Sequence, residues 1–374
     1  MTKIAIVLGH LGTHGPSFVR LQLAAEMIRR GYDVDFVIGQ DPDNLIQKVP
    51  EGCKVHILGT QRPREFIGKL RNYLKDAKPD GVLASSWPFS AASIIAVKLH
   101  DRNLPIVVSE HSDFRTGIKT SVEFTRKDKF LLKYFAKFIH NRASKIVGVS
   151  QGVLDGLVAV VGVSKRKTTP IANPARRFIA EPVQSPEERE RRVSFWTQEA
   201  IKLLAVGRIV PEKDYGTMIE ALSLLKDKGR FKLIIVGEGR LRTALEEQIA
   251  QLGLEKSVLL AGKSHSVAEY YQNADLFLLS SSSEGAPNVL LEALSFGLPI
   301  VSTQCQSGPA EILELGKYGV LTKVGDAANF AASIEHAIAS PADPDLQKSR
   351  AAFFSIEVAT DQYLAALFSK AIPN

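Results

Sequence analysis

The feature that most constrains this chain is a repeated alternation: a short apolar run of strand length, a turn, then a longer segment of helical period. The first series comprises Ile4 to Leu8, Val34 to Ile38, Val82 to Ala84, Ile106 to Ser109 and Ile146 to Val149. After residue 176 it restarts with Leu203 to Val206, Leu233 to Val236, Val258 to Leu260, Leu276 to Leu279 and Ile300 to Ser302. Runs apolar at every residue belong to strands buried on both faces, and strands alternating with helices build parallel sheets. The pattern predicts an α/β chain of two Rossmann-like domains with a cleft between them. A length of 374 residues fits, since one core does not normally grow that large. The boundaries read are 1–175 for the first domain, 176–352 for the second, and 353–374 for a last segment. That segment reads as helix around Phe354, Val358, Tyr363, Leu367 and Phe368. The charge-dense stretch from Arg176 to Thr197 reads as a solvated linker or surface helix.

Composition excludes several classes. With 45% apolar and 23% charged residues the chain is neither disordered nor fibrous. The run Ile4 to Leu8 is too short for a signal-peptide core, and no later run reaches membrane-span length, which predicts a cytoplasmic protein. Cys53 and Cys305 lack metal-ligand spacing and are too few for a disulfide framework. The net charge of +7 is unevenly spread. Residues 1–175 hold 26 Lys/Arg and 15 Asp/Glu, hence +11, and the remainder is −4. A basic half suits anionic lipid, nucleic acid or a phosphate-bearing ligand alike.

Ligands of open parallel sheets sit outside the carboxyl ends of the strands, so the residues just after each run are the candidates. Gly207-Arg208-Ile209-Val210-Pro211-Glu212-Lys213-Asp214 puts an Arg and a Lys in one such loop. There they can neutralise a diphosphate without a metal ion, or stand as solvated cations. In Glu284-Gly285-Ala286-Pro287-Asn288-Val289-Leu290-Leu291-Glu292, Pro287 suits the first turn of a helix running to about Phe296. Glu284 then precedes the helix and Glu292 lies inside it. The amides of Gly285, Ala286 and Asn288 point at an anion, and each carboxylate can accept from ribose or sugar hydroxyls. An acidic helix start with one surface Glu is the other explanation.

Together with Gly237-Glu238-Gly239-Arg240, these segments resemble the signature of retaining glycosyltransferase family four, in order and in spacing. The resemblance implies the GT-B fold, two facing Rossmann-like domains. It further implies a nucleotide-sugar donor, transfer with retention, no obligatory metal and no other cofactor. By that likeness Arg208 and Lys213 bind the diphosphate, Glu292 the ribose and Glu284 the transferred sugar, with Gly207, Gly237, Glu238 and Gly285 to Asn288 lining the nucleotide site. UDP is preferred to GDP as the base, and the acceptor is a glycan, in particular a lipid-linked one in cell-surface polysaccharide synthesis.

The first half matches less closely. Gly12-Thr13-His14-Gly15 opens the first helix where the family has paired glycines, and serves either ligand approach or a tight turn. His111 follows an apolar strand at the position where family members that build lipid-linked glycans carry a His facing the donor sugar, and it is taken as catalytic with Glu284, Arg208 and Lys213. Ser150 and Asn173 also follow strands, but a helix cap and an Asn-Pro turn account for them. The triplets Asp33/Asp35, Asp41/Asp43 and Asp343/Asp345 read as strand-start and turn chemistry rather than metal ligands. Residues 114–142 form a basic amphipathic segment. Lys129, Lys133 and Lys137 recur beside an apolar stripe of Leu131, Tyr134, Phe135 and Phe138, fit either for an anionic membrane face or for packing on the sheet. A sugar-nucleotide epimerase or hydrolase of the same fold is the rival reading, and a non-catalytic nucleic-acid-binding protein is a more distant one that lacks any accompanying RNA-binding signature.

Overall fold

The computed structural model describes residues 1–12, 15–42, 44–112, 114–115, 134–176, 184–264 and 266–368. Two compact units are present, Met1–Pro174 with Ser355–Asn374, and Ala175–Phe354.

The first unit is built on seven parallel strands: β1 (Lys3–His10), β2 (Asp33–Gln40), β3 (Lys54–Ile57), β4 (Gly81–Ser85), β5 (Ile106–Glu110), β6 (Lys145–Gly148) and β7 (Thr168–Pro170). Their order is β3-β2-β1-β4-β5-β6-β7. Side chains alternate between the faces of each strand. Ala5, Val7, Val82, Ala84, Ile106 and Val108 therefore enter one core, and Ile4, Ile6, Leu8, Leu83, Val107 and Val147 the other. The helix Ile356–Phe368 joins the second of these through Ile356, Ala359, Tyr363 and Leu367.

The second unit repeats the plan with six parallel strands: β8 (Ile201–Val206), β9 (Phe231–Val236), β10 (Val258–Gly262), β11 (Leu276–Leu279), β12 (Ile300–Thr303) and β13 (Val320–Thr322). The order is β10-β9-β8-β11-β12-β13. Leu203, Ala205, Leu233 and Ile235 face one core, Leu204, Ile234, Val236 and Phe277 the other. In each sheet the winding direction reverses beside the first strand. The carboxyl ends of β1 and β4, and of β8 and β11, are thus the switch points where an open sheet leaves room for a ligand.

The stretch after residue 184 forms the surface helix Pro186–Phe195, capped by Ser185 Oγ accepting from the Glu188 amide at 3.2 Å. Its buried Arg192 reaches Gln184 at 3.0 Å and Glu269 at 3.2 Å. Asp343 accepts from the Asp345 amide at 2.9 Å to start the helix Pro344–Ala352, so that triplet is a cap. Asp33 and Asp35 lie within β2, whereas Asp43 lies outside the described residues.

Of the two readings of the basic segment, packing of its apolar stripe on the sheet is not what the described part shows. Leu131, Lys129 and Lys133 lie outside the described residues, but over 134–140 the stripe of Tyr134, Phe135 and Phe138 is turned outward, at 55%, 48% and 57% exposed. Ala136, Ile139 and His140 are the buried ones. No helix among the described residues is long and apolar enough to cross a membrane.

Candidate functional site

At the switch point of the second sheet, the loop after β8 and the loop after β11 meet. Lys213 Nζ donates to Glu284 Oε1 at 2.5 Å, with side chains only 17% and 11% exposed. Ser281 Oγ donates to the same oxygen at 2.6 Å. Glu284 Oε2 has no partner among the described residues and remains the oxygen open to a ligand hydroxyl. The two loops are stitched at the backbone. Ser280 Oγ donates to the Lys213 carbonyl at 2.9 Å, and the Ser282 amide to that of Glu212 at 2.9 Å. Ser307, beyond β12, fixes the other side by donating to the Glu284 carbonyl at 2.6 Å. Asp214 in the left-handed region (φ +45°) caps the helix Tyr215–Leu224 through Thr217, which sets where Lys213 leaves the turn.

Glycines allow these loops to lie against each other. A Cβ on Gly237 (φ +152°) would fall 1.9 Å from the Gly207 carbonyl oxygen, and one on Gly308 (φ +91°) would fall 2.8 Å from Pro287 Cδ. Tyr215 and Cys305 are buried near the ion pair. Burial first, and the Glu284 charge second, push the Tyr215 hydroxyl above its usual range, and the same two causes push the Cys305 thiol up to about 12. Neither group is therefore an ionised nucleophile near neutral pH.

The remaining predicted residues are dispersed around this pair. Arg208 is exposed on the same loop and makes no ion pair among the described residues. Glu238 is bound to Arg242 at 2.7 Å, one helical turn on. Glu292 is buried inside the helix Asn288–Ser295, its Oε2 accepting from Tyr271 OH at 2.8 Å. Pro287 takes the cap position before that helix rather than its first turn, and Gly285 and Ala286 lie in the loop before it.

In the first unit the Gly12 amide donates to Ser17 Oγ at 3.1 Å, so its turn is closed by a side chain of the helix it precedes. Thr13 and His14 lie outside the described residues. His111 directly follows β5, half-buried, its Nε2 3.0 Å from Ser109 Oγ. Ser150 caps the helix Gln151–Val161 by accepting from the Val153 amide at 3.2 Å.

Ser281 falls in the strand-end stretch Ser280 to Asn288 that the sequence offers, whereas Ser307, Gly308 and Tyr271 hold the site without having been singled out. Ser307 and Gly308 stand just beyond β12, where the strand-end rule reaches them once the strand is known. Tyr271 carried no signal, because nothing local separates it from a core aromatic. Among the described residues no group of three or more His, Cys, Asp or Glu is gathered as a metal site.

Comparison with known proteins bears on the family and the fold. Two family models match in sequence order, Glycosyltransferase Family 4 over residues 15–175 and Glycosyl transferases group 1 over residues 186–353. The amylovoran biosynthesis glycosyltransferase AmsD of Erwinia amylovora is 28% identical over 257 residues, covering 68% of this chain and just under two thirds, 66%, of its own length. The N-acetylgalactosamine-N,N'-diacetylbacillosaminyl-diphospho-undecaprenol 4-alpha-N-acetylgalactosaminyltransferase of Campylobacter jejuni is 24% identical over 336 residues, 87% of each chain. Among solved structures, Anabaena HepE in complex with UDP-glucose has a TM-score of 0.78 at 20% identity, covering 99% of this chain and 100% of that one, a likeness of fold.

Proposed function

Because this chain belongs to the group 1 and family 4 glycosyltransferases, we propose that it moves a hexose or N-acetylhexosamine, with retention, from a UDP-sugar to a glycan acceptor. The observation that carries the reading is the Lys213–Glu284 pair at the β8/β11 switch point, with Gly207 and Gly237 clearing space beside it. The charge that develops in glycosyl transfer sits on the departing diphosphate. Arg208, exposed and extended from the same loop, and Lys213 stabilise that charge electrostatically without a metal ion. Glu284 Oε2 accepts from a sugar hydroxyl and Glu292 holds the ribose, while His111 is the catalytic candidate of the first unit. No enzymic nucleophile is assigned, so a donor phosphate oxygen takes the acceptor proton.

The printed names of the relatives support a polysaccharide or lipopolysaccharide context, and the undecaprenol-linked substrate in the Campylobacter name supports a lipid-linked acceptor. The outward Tyr134, Phe135 and Phe138 near Lys137 and Arg142 support a reading in which the chain attaches peripherally to the cytoplasmic membrane face, since aromatics and basic residues together suit an anionic interface.

Thermal-shift titration with UDP, GDP, ADP and their sugar conjugates, with a chelator present, tests the reading, because a ligand selective for the folded state raises Tm. Selective stabilisation by UDP and one UDP-sugar is expected. No response to any nucleotide would overturn it.

A further inference from the structure

Glu110 and His140 have no part in the proposed reaction, yet both are inside the first unit, at 2% and 0% exposed. A buried pair of this kind is weak evidence for stability, because apolar side chains of similar volume commonly fold at least as well in its place. Its contacts show what it holds instead. A carbonyl only accepts, so His140 Nδ1 donates to that of Ala136 at 2.8 Å, and Nε2 lies 3.3 Å from Glu110 Oε1. The same carboxylate accepts from Ser90 Oγ at 2.7 Å and, through Oε2, from the Trp87 amide at 3.1 Å. The imidazole also stacks on the Trp87 indole, with centroids 5.7 Å apart and planes 17° from parallel. Apart from the first, these contacts converge on the loop that joins β4 to the helix Phe89–His100.

That loop is held on both sides as well. Before it, Ser85 Oγ accepts at 2.6 Å from Nε of Arg20, a wholly buried cation on the helix Gly15–Arg29, and the Ser86 amide donates to the Ser109 carbonyl at 2.9 Å. After it, the Phe89 ring lies so close over β1 that a Cβ on Gly9 would fall 2.1 Å from it. Ser86 sits at φ +64°, a left-handed conformation that a serine adopts at a steric cost. Such strain persists where the surroundings over-determine it, and it gathers at ligand sites. The loop stands at the carboxyl end of β4, beside β1, which is the switch point of the first sheet.

Trp87 is the side chain this framework displays. Its indole is half-buried, and its Nε1 makes no hydrogen bond among the described residues and is not enclosed. Trp196 shows the ordinary arrangement of a core tryptophan: it is 5% exposed and its Nε1 donates to the Lys232 carbonyl at 2.9 Å. A rigid apolar ring with an open N–H suits a pyranose, whose C–H face packs on the ring and whose hydroxyl oxygens accept from the nitrogen. We infer that Trp87 is a sugar-binding platform of the first unit, on which the acceptor pyranose rests, while Glu110 and His140 fix the loop that carries it. That the bound sugar is the acceptor rests on the transferase reading given above; that Trp87 binds sugar does not.

Fluorotryptophan gives one fluorine NMR resonance for each of the two tryptophans, assigned with Trp87→Phe or Trp196→Phe. Methyl α- and β-glycosides of glucose, galactose, N-acetylglucosamine and N-acetylgalactosamine are titrated into the full chain with and without UDP. At least one should move the Trp87 resonance and leave that of Trp196 in place. With that glycoside as acceptor and UDP-sugars as donors, Trp87→Ala should raise the acceptor KM roughly tenfold or more, with kcat and the donor KM within about twofold, the pattern of lost ground-state binding. Trp87→Phe keeps a ring without the N–H and should fall between. If no glycoside moves the Trp87 resonance, or both resonances move together, the platform is refuted even when Trp87→Ala does not fold. Folded Trp87→Ala with an unchanged acceptor KM refutes it too. A Trp87 resonance that answers to sugar in a protein without transfer activity upholds the platform and overturns the transferase reading instead.

Discussion

Replacing Lys213 by alanine takes away the ammonium placed at the β8/β11 switch point and leaves Glu284, 11% exposed, with Ser281 as its one remaining side-chain partner among the described residues. One hydrogen bond between charged groups contributes about 1.5–3 kcal/mol, so Lys213→Ala should weaken UDP binding by roughly 10- to 150-fold. Glu284→Gln should act differently. Glutamine keeps an oxygen for Lys213 and Ser281 but removes the charge that partly neutralises the ammonium, so UDP affinity should hold steady or rise. What should vanish is the extra affinity for UDP-sugar over UDP, together with most of kcat. Lys213→Ala also leaves the mostly buried Glu284 carboxylate short of its partner, a loss of about 1–3 kcal/mol, and the double variant, which removes that charge as well, should lose less than the sum of the two. Calorimetric titration of the four proteins with UDP and UDP-sugar, alongside denaturant unfolding, measures all of these quantities. If Lys213→Ala binds UDP as tightly as wild type, or if Glu284→Gln loses UDP affinity to the same degree, then the diphosphate and the sugar have been assigned to the wrong members of the pair.

Three further outcomes can be checked separately. Gly237→Ala places a Cβ 1.9 Å from a backbone oxygen at φ +152°, so the second unit should lose about 3 kcal/mol and roughly 10 °C in Tm by calorimetry, and an unchanged Tm would refute the close approach of β8 and β9. Arg29 first, then Arg30, hold the buried Glu26 carboxyl down from 4.5 to about 2; a depressed carboxyl stabilises above its unfolded value, and this is lost as pH falls from about 5 toward 2. Arg29 is 65% exposed, so the contribution is discounted to about 1–2 kcal/mol, and Glu26→Gln should flatten the acid limb of a stability–pH curve by that amount. Replacing Tyr134, Phe135 and Phe138 together by serine should reduce flotation with anionic liposomes without altering Tm, and unchanged flotation would remove this face from membrane contact.

How much of this was legible beforehand follows from burial. All ten apolar runs became strands, because central strands of parallel sheets must be apolar on both faces and so announce themselves. The three strands not foreseen, β3, β7 and β13, are each at a sheet edge, with burial patterns mixed between exposed and intermediate residues and only Thr322 buried. An edge strand covered on fewer sides can be Lys-Val-His-Ile or Thr-Thr-Pro and still pair, which removes the signal on which a periodicity argument depends. The stripe of 134–140 could be read two ways for the converse reason: hydrophobicity says that a residue gains by leaving water, but not what it leaves water for, and only the structure shows Tyr134, Phe135 and Phe138 turned outward.

The same logic separates the two halves of the candidate site. Lys213, Glu284 and the glycines at 207 and 237 are brought together at one switch point, and in the proposed reading they answer to one ligand chemistry, in which charge needs a cation, hydroxyls need a carboxylate and backbone needs room. Those residue types at loop positions are visible in a linear string. Arg20 answers to another side chain rather than to a ligand. In the sequence it is one cation in an apolar helical segment, indistinguishable from a surface residue, and only the packing of β4 and β5 against that helix reveals that it is wholly buried. Residue types chosen by ligand chemistry can be read from a linear string, whereas a buried cation such as Arg20, held by Ser85 and Ser109, is seen only in the fold.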